Sequence, residues 1–313
     1  MTGEKMTWRL GNIIIAMLMV LPWTLCANAQ TVHGDSLTLN LYTTKAYGAQ
    51  SAACYGDYAL FVGVKVGRMS LFNMKTRTRV CSQKLPPKNE LRGKTDIYHA
   101  NNCCFGVKKY SKNDSLPLLY VSHRENNELR GVLEVYRVTP VSRDTLARFD
   151  SLAVQLVQTI YYPCASDDNA LGSPWTAIDL RKGYMYTYSR NNKRKTPNYG
   201  RCRISKFKIP KVNGRPEVYL TDRDIIDTFD GGYNAVLSQG GCIWDNKLYI
   251  AQGIPKENST LWLREIDLVK RELTNSYNLS KAGLQEEPEG CFVYDGQLMI
   301  ATAKGSIYQV TLP

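Results

Sequence analysis

The chain carries no Ser-His-Asp order, no phosphate-cradling glycine loop and no dinucleotide fingerprint. It has no H-x-H or H-E-x-x-H spacing and no C-x-x-C pair. Those absences remove the most legible routes to nucleophilic catalysis, nucleotide chemistry, zinc hydrolysis and a zinc ribbon. No long amphipathic helix pattern is present, which argues against α/β classes. One stretch lacks acid altogether. From Arg190 to Lys211 the chain sets down Arg190, Lys193, Arg194, Lys195, Arg201, Arg203, Lys206, Lys208 and Lys211 without an Asp or Glu. Part of that run alternates with Ile204, Phe207 and Ile209, as a strand with one wet face does. It is either a solvated hairpin or a landing site for polyanions.

What is present begins with a leader. Lys5 and Arg9 precede the apolar run GNIIIAMLMVLPWTL, and Ala27-Asn28-Ala29 forms a small-x-small site before Gln30. This reads as a secretory signal peptide over residues 1–29, cleaved to leave 30–313 as one domain. A retained anchor is the alternative, but the run is short for a membrane span of about 20 residues. No transmembrane span is expected after cleavage. Leu25 is too bulky before Cys26 for a lipidation site. Export implies an oxidising compartment, whether periplasmic, outer-envelope or extracellular. The formal charge of +12 falls to +11 without the leader, whose Lys5 and Arg9 outweigh Glu4 by one. Such a chain suits anionic envelope polymers, an anionic glycan or an envelope protein as partner, and nucleic acid is a poor candidate in that compartment.

The remainder repeats itself. EPEGCFVYDGQLMIATAKGSIYQVTLP (Glu287–Pro313) matches the opening of SQGGCIWDNKLYIAQGIPKENSTLWLREIDLVKRELTNSYNLS (Ser238–Ser280). Cys291 aligns with Cys242, Asp295-Gly296 with Asp245-Asn246, and Leu298-Met299-Ile300 with Leu248-Tyr249-Ile250. The last copy lacks its outer strand. Inner strands enter near Ser51, Asn101, Ser173, Gly240 and Glu289, so the intervals run 50, 72, 67 and 49 residues. A repeat of this size built from short strands predicts an all-β propeller. Five blades is the direct count, and six the alternative if a long interval hides a divergent blade. Leu37, Leu39 and Leu41 alternate with Thr38, Asn40 and Tyr42, which predicts a lone strand that completes the last blade and closes the ring. Thr139–Ser151 reads as a loop or short helical turn, and Asp222–Val236 as a short helix or insertion.

The G-D turn at Gly56-Asp57 and the segment Glu287-Pro288-Glu289-Gly290 resemble exported β-propeller proteins of the YncE-like and TolB-like sort. The likeness covers most of the mature chain at the level of blade grammar. EPEG is similar to segments of lactonase-like propellers, but no matching calcium ligand set accompanies it, so the resemblance implies a fold and carries over no active site. No metal and no cofactor is expected.

Repeat phase brings the first residues of inner strands and the loops between second and third strands to one face. That face is expected to hold the channel mouth. It would gather Gln50, His99, Asn101, Asn102, Trp175, Gln239, Glu287 and Glu289 from the former, and His123, Arg124, Glu125, Arg190, Lys193, Arg194 and Lys195 from the latter. His99, His123 and Glu289 could act as bases or acids, and Glu287 with Glu289 could form a carboxylate pair. The bland reading makes each a hydrogen-bonding or surface residue. Tyr184, Tyr186 and Tyr188 share one strand face and suit packing between blades. Cys54, Cys103, Cys242 and Cys291 read as small buried residues of inner strands, while Cys81, Cys164 and Cys202 could bridge. The function expected from this balance is an exported binding or scaffold module for a glycan, peptide or partner protein. The alternative is a hydrolase or lyase acting on a sugar or lactone, with His99 or Glu289 as acid-base residue. A third reading makes it a purely structural part of a complex.

Overall fold

A computed structural model describes residues 37–63, 68–84, 100–124, 130–141, 151–163, 172–191, 194–255 and 259–313. All lie in the compact unit Val32–Pro313. The leader, His99, Glu125, Lys193 and Cys164 lie outside the described residues.

Alternating residues and tight turns make antiparallel strands that group into five sheets. Blade one holds β2 (Ser51–Tyr55), β3 (Tyr58–Val62), β4 (Arg68–Asn73) and β5 (Thr78–Lys84). Blade two holds β6 (Ala100–Phe105), β7 (Leu119–Arg124), β8 (Arg130–Val141) and β9 (Ser151–Pro163). Blade three holds β10 (Gly172–Asp179), β11 (Tyr184–Arg190), β12 (Arg201–Lys208) and β14 (Asp227–Asn234). Blade four holds β15 (Ser238–Trp244), β16 (Lys247–Gln252), β17 (Trp262–Asp267) and β18 (Glu272–Asn278). Blade five holds β19 (Pro288–Tyr294), β20 (Gln297–Thr302) and β21 (Ile307–Thr311), completed by β1 (Thr38–Thr43). A short β13 (Glu217–Tyr219) runs parallel to β9 on the outer edge of blade two.

The chain is a five-bladed β-propeller. β1 pairs antiparallel with β21, Thr38 opposite Thr311 and Leu39 opposite Val310, so the ring closes as expected. Side chains of period two face each neighbouring blade, and every one of the five junctions carries its own apolar core. Leu60 and Leu71 of blade one meet Leu119 and Val121 of blade two. Tyr120 and Val135 meet Ile178 and Met185 of blade three. Tyr188 and Ile204 meet Leu248 and Ile250 of blade four. Tyr249 and Leu263 meet Ile300 and Val310 of blade five. Phe292 and Met299 return to Phe61 and Phe72 of blade one.

Long strands and an excursion, not a hidden blade, explain the wide repeat intervals. β8 and β9 run 12 and 13 residues. After β12 the chain crosses to blade two, where Tyr219 stacks on Tyr161 at 4.7 Å and Gln158 donates to the carbonyls of Lys211 and Arg215. This cover protects an edge that would otherwise be open to pairing.

Three expectations are corrected. Asp222–Val236 contains a 3-10 turn at Asp222–Asp224 and then β14, the outer strand of blade three. Gly232 at φ 75° and a register shift between Arg201 and Arg203 break the alternation that would have announced it. Within Thr139–Ser151, β8 continues to Val141 and β9 begins at Ser151, which narrows the loop expected there, while residues 142–150 lie outside the described residues. Cys291 lies one residue farther from its turn than Cys242, opposite Ile300 where Cys242 is opposite Tyr249. The two thiols therefore leave their strands on opposite sides and pack into the same core between blades four and five. Cys202 is a free thiol, as are Cys54, Cys103, Cys104, Cys242 and Cys291.

Candidate functional site

The channel has two ends, one where inner strands begin and one where they reach their first turns. A polar stitch separates them. Asn102 of blade two is fully buried. Its Oδ1 accepts from Ser51 Oγ of blade one at 3.0 Å. Its Nδ2 donates to the carbonyls of Thr176 in blade three at 3.0 Å and Gly241 in blade four at 2.8 Å. Ser51 Oγ in turn accepts from Cys103 N, and Thr176 N donates to Ser122 Oγ. Gly240 is required here. A Cβ on it would stand 2.5 Å from Asn102 Oδ1 and 3.0 Å from the Glu289 carbonyl of blade five. One amide thus holds the axis of the ring, and its three bonds are made where water cannot replace them.

At the strand-start end the structure does gather several expected residues. Gln50 Nε2 donates to Glu289 Oε1 at 2.9 Å, and Gln239 Nε2 to Glu287 Oε1 at 2.9 Å. Asn101 Nδ2 donates to the Pro174 carbonyl at 2.8 Å, tying blade two to blade three. Glu289 is 2% exposed. Burial first, then the nearby Glu287 charge, pushes its carboxyl from the ordinary 4.5 up to about 9, with the Gln50 bond pulling the other way. At neutral pH the Glu289 carboxyl therefore favours its protonated form, which suits an acid better than a base.

That shift has a sign. Between 4.5 and 9 the folded chain holds a proton on Glu289 that the unfolded chain has released. This contribution to stability is whole at acid pH and declines as pH rises through the window. Glu289→Gln keeps the acceptor for Gln50 and has no charge to bury. It is expected to unfold at higher denaturant than the wild type, by roughly 2–4 kcal/mol at pH 8 and by little at pH 4. Parallel stability curves for the two proteins across that range would refute the buried acid.

Other expected residues go elsewhere. His123 Nε2 lies 3.0 Å from Glu134 Oε2, and the Tyr136 hydroxyl donates to that same oxygen. His123 is buried on the same strand face as Val121, toward blade one. Trp175 is buried between blades three and four, stacked on Tyr188 at 4.6 Å and 15°. Tyr184, Tyr186 and Tyr188 line that same junction, as expected. Arg190 is half-buried, with Nη1 3.4 Å from the Ala235 carbonyl. Arg194 and Lys195 are exposed. The basic run is partly neutralised by acids of β14, because Arg201 pairs with Asp230, while Lys206 sits over the Tyr184 ring at 4.1 Å. Asp230 comes from a strand the sequence did not announce.

The turn end is open. A cavity of about 380 Å³ is lined by all five blades, among them Cys54, Cys104, Ile178, Trp244 and Phe292. Burial pushes the Cys54 and Cys291 thiols up to about 12, so both are protonated and behave as small apolar groups. An exposed ion pair, Arg181 to Asp245 at 3.0 Å, stands on the rim. Sequence reasoning placed the mouth at the opposite end. The available signal was the run of Ala, Cys and aromatic residues closing successive inner strands. Among the described residues no group of three or more His, Cys, Asp or Glu side chains is arranged to hold a metal ion. None of their helices is long and apolar enough to cross a membrane.

No family model matches the sequence, and no curated protein does. Solved structures resemble it in fold. The glutaminyl cyclase of Myxococcus xanthus is 11% identical with a TM-score of 0.48, over 90% of this chain and 95% of that one. The Cps50 (Swd1) β-propeller domain of Myceliophteria thermophila is 10% identical with a TM-score of 0.42, over 84% and 82%. Neither likeness carries a functional argument.

Proposed function

We propose that this chain is an exported binding or scaffold propeller whose turn-end cavity receives an apolar side chain of a peptide or partner protein. Export rests on the leader. The reading is carried by the cavity, which falls in the range of ligand pockets and to which every blade contributes. Its lining is mostly thiol, aliphatic and aromatic, with Asp179, Arg181 and Asp245 as its charged members, so an apolar side chain of a peptide or protein is favoured over glycan. Tyr55 and Leu180 are exposed on turns at this end, and Val107 is exposed in the first hairpin loop of blade two. Together they form an apolar surround of the kind that marks contact surfaces.

A neutral aromatic dye, N-phenyl-1-naphthylamine, tests the pocket. It is expected to bind at one saturable site and to take energy from Trp244. Leu180→Asp should weaken it about tenfold, the scale of one lost apolar contact with a charge added. Absence of saturable binding, or indifference to Leu180→Asp, would remove the reading.

The protonated Glu289 beside Glu287 favours a second reading, a hydrolase or lyase of sugars or lactones with Glu289 as general acid. Turnover of envelope glycans or lactones by the wild type and its loss in Glu289→Gln would replace the first reading with the second.

A further inference from the structure

On β11 the residues that face blade four are Tyr184, Tyr186 and Tyr188, and the next on that face is Arg190, at the end of the strand. On β17 Ile266 faces blade three, and Arg264 and Trp262 precede it on the same side. On β16 the equivalent series is Leu248, Ile250 and then Gln252. Period two therefore stacks a polar layer on top of the apolar core between blades three and four. Two arginines, one from each blade, stand in it.

Both are tethered to one short segment. Arg190 Nη1 reaches the Ala235 carbonyl. Arg264 Nε donates at 2.8 Å to Gln252 Oε1, and Gln252 Nε2 donates to the carbonyls of Asn234 and Val236 at 2.8 Å each. The Arg264 guanidinium lies 4.6 Å from the Trp262 ring centre and 5.3 Å from that of Tyr233. Burial holds it below the usual guanidinium range.

Neither arginine has a carboxylate partner among the described residues, and Arg190 Nε is buried with no hydrogen bond at all. The contrast is specific. Arg137, Arg181, Arg201 and Arg271 each pair with an aspartate. A guanidinium stays charged at any ordinary pH. Holding two of them in one cleft without a counter-charge costs stability that an oxyanion would return, through charge-assisted, forked hydrogen bonds. Exposed Arg194 and Lys195, in the loop that follows Arg190, add positive potential at the same end of the blade.

We infer that the strand-start end of the cleft between blades three and four is an oxyanion subsite, in which Arg190 and Arg264 grip a carboxylate or phosphate group from two sides. Trp262 and Tyr233 flank one of the two guanidinium groups and hold it in place. The subsite lies at the opposite end of the ring from the apolar cavity and stands or falls independently of it. A ligand bearing an acidic sugar would offer the carboxylate, and a phosphorylated one the phosphate.

Thermal unfolding of the purified protein at low ionic strength, with glucuronate, glucose or inorganic phosphate, tests it. At least one of the two anions is expected to raise Tm by about 2 °C or more, and glucose by nothing. The larger of the two shifts identifies carboxylate or phosphate as the source. Added sodium chloride should erode the effect. Arg190→Gln and Arg264→Gln should each weaken binding about tenfold, and the double variant should lose it. If either glutamine variant fails to fold, Arg190→Lys and Arg264→Lys keep the charge and lose only the fork, and binding should fall by a smaller factor. No shift with either anion, or a shift that survives in a folded double variant, overturns the assignment.

Discussion

Asn102→Ala is expected to lower the unfolding free energy by about 3 kcal/mol or more, the largest effect of any single substitution near the channel. The amide joins blade two to blades one, three and four, and its removal leaves the Ser51 hydroxyl and the Thr176 and Gly241 carbonyls without their partner. Each buried group so abandoned costs about 1–3 kcal/mol. Asn102→Asp should fare no better, since a second oxygen would face two carbonyls in place of a donor. Ser51→Ala removes one of the three bonds and the acceptor of Cys103 N as well, and should cost about 1–3 kcal/mol. Gly240→Ala supplies an internal check. Its Cβ would collide with Asn102 Oδ1, so its penalty should shrink in the Asn102→Ala background, a coupling between contacting residues. Denaturant titration of the four single variants and the double one decides the matter. An Asn102→Ala protein within ~1 kcal/mol of wild type would mean that the axis of the ring is held by its apolar cores alone.

Removal of the chain through Thr44 is expected to abolish the closed ring. β1 is the outer strand of blade five, and without it β21 presents a bare edge along Ile307–Thr311. Leu37, 5% exposed, and Leu39 would also leave the core between blades four and five. An open edge with an uncovered apolar face pairs with other chains, so the truncated protein should elute as aggregate. A peptide of residues 36–44 added in trans should restore some monomer, because strand addition supplies the same ladder. The milder Leu37→Ala should cost about 2–3 kcal/mol. A truncated chain that remains monomeric with unchanged Tm would show that three strands suffice for the last blade.

Much of the architecture was present in local pattern. Alternation in Leu37–Tyr42 announced a strand, and the incomplete repeat at Glu287–Pro313 announced where it would dock. Turn residues at Asp245-Asn246 and Asp295-Gly296 set the hairpins at which blades could be counted. The tyrosines of β11 were placed by the same period. Patterns of this kind survive because side-chain direction in a strand depends only on position parity.

The pattern failed where the strand register slipped. Gly232 and the shift at Arg201 hid β14, and with it Asp230, the acid that answers part of the basic run. The one-residue offset between Cys291 and Cys242 turned two matching thiols to opposite faces.

The sequence by itself determined most of the strands, their grouping into five blades as the direct count and the closure of the ring, because each follows from patterns along the chain. Only the tertiary structure decided which end of the channel is open, that Trp175 and His123 belong to packed junctions, that Glu289 keeps its proton, and that Arg190 and Arg264 share a cleft. Those depend on burial and on distances between blades, and both are set by residues that stand far apart in the chain.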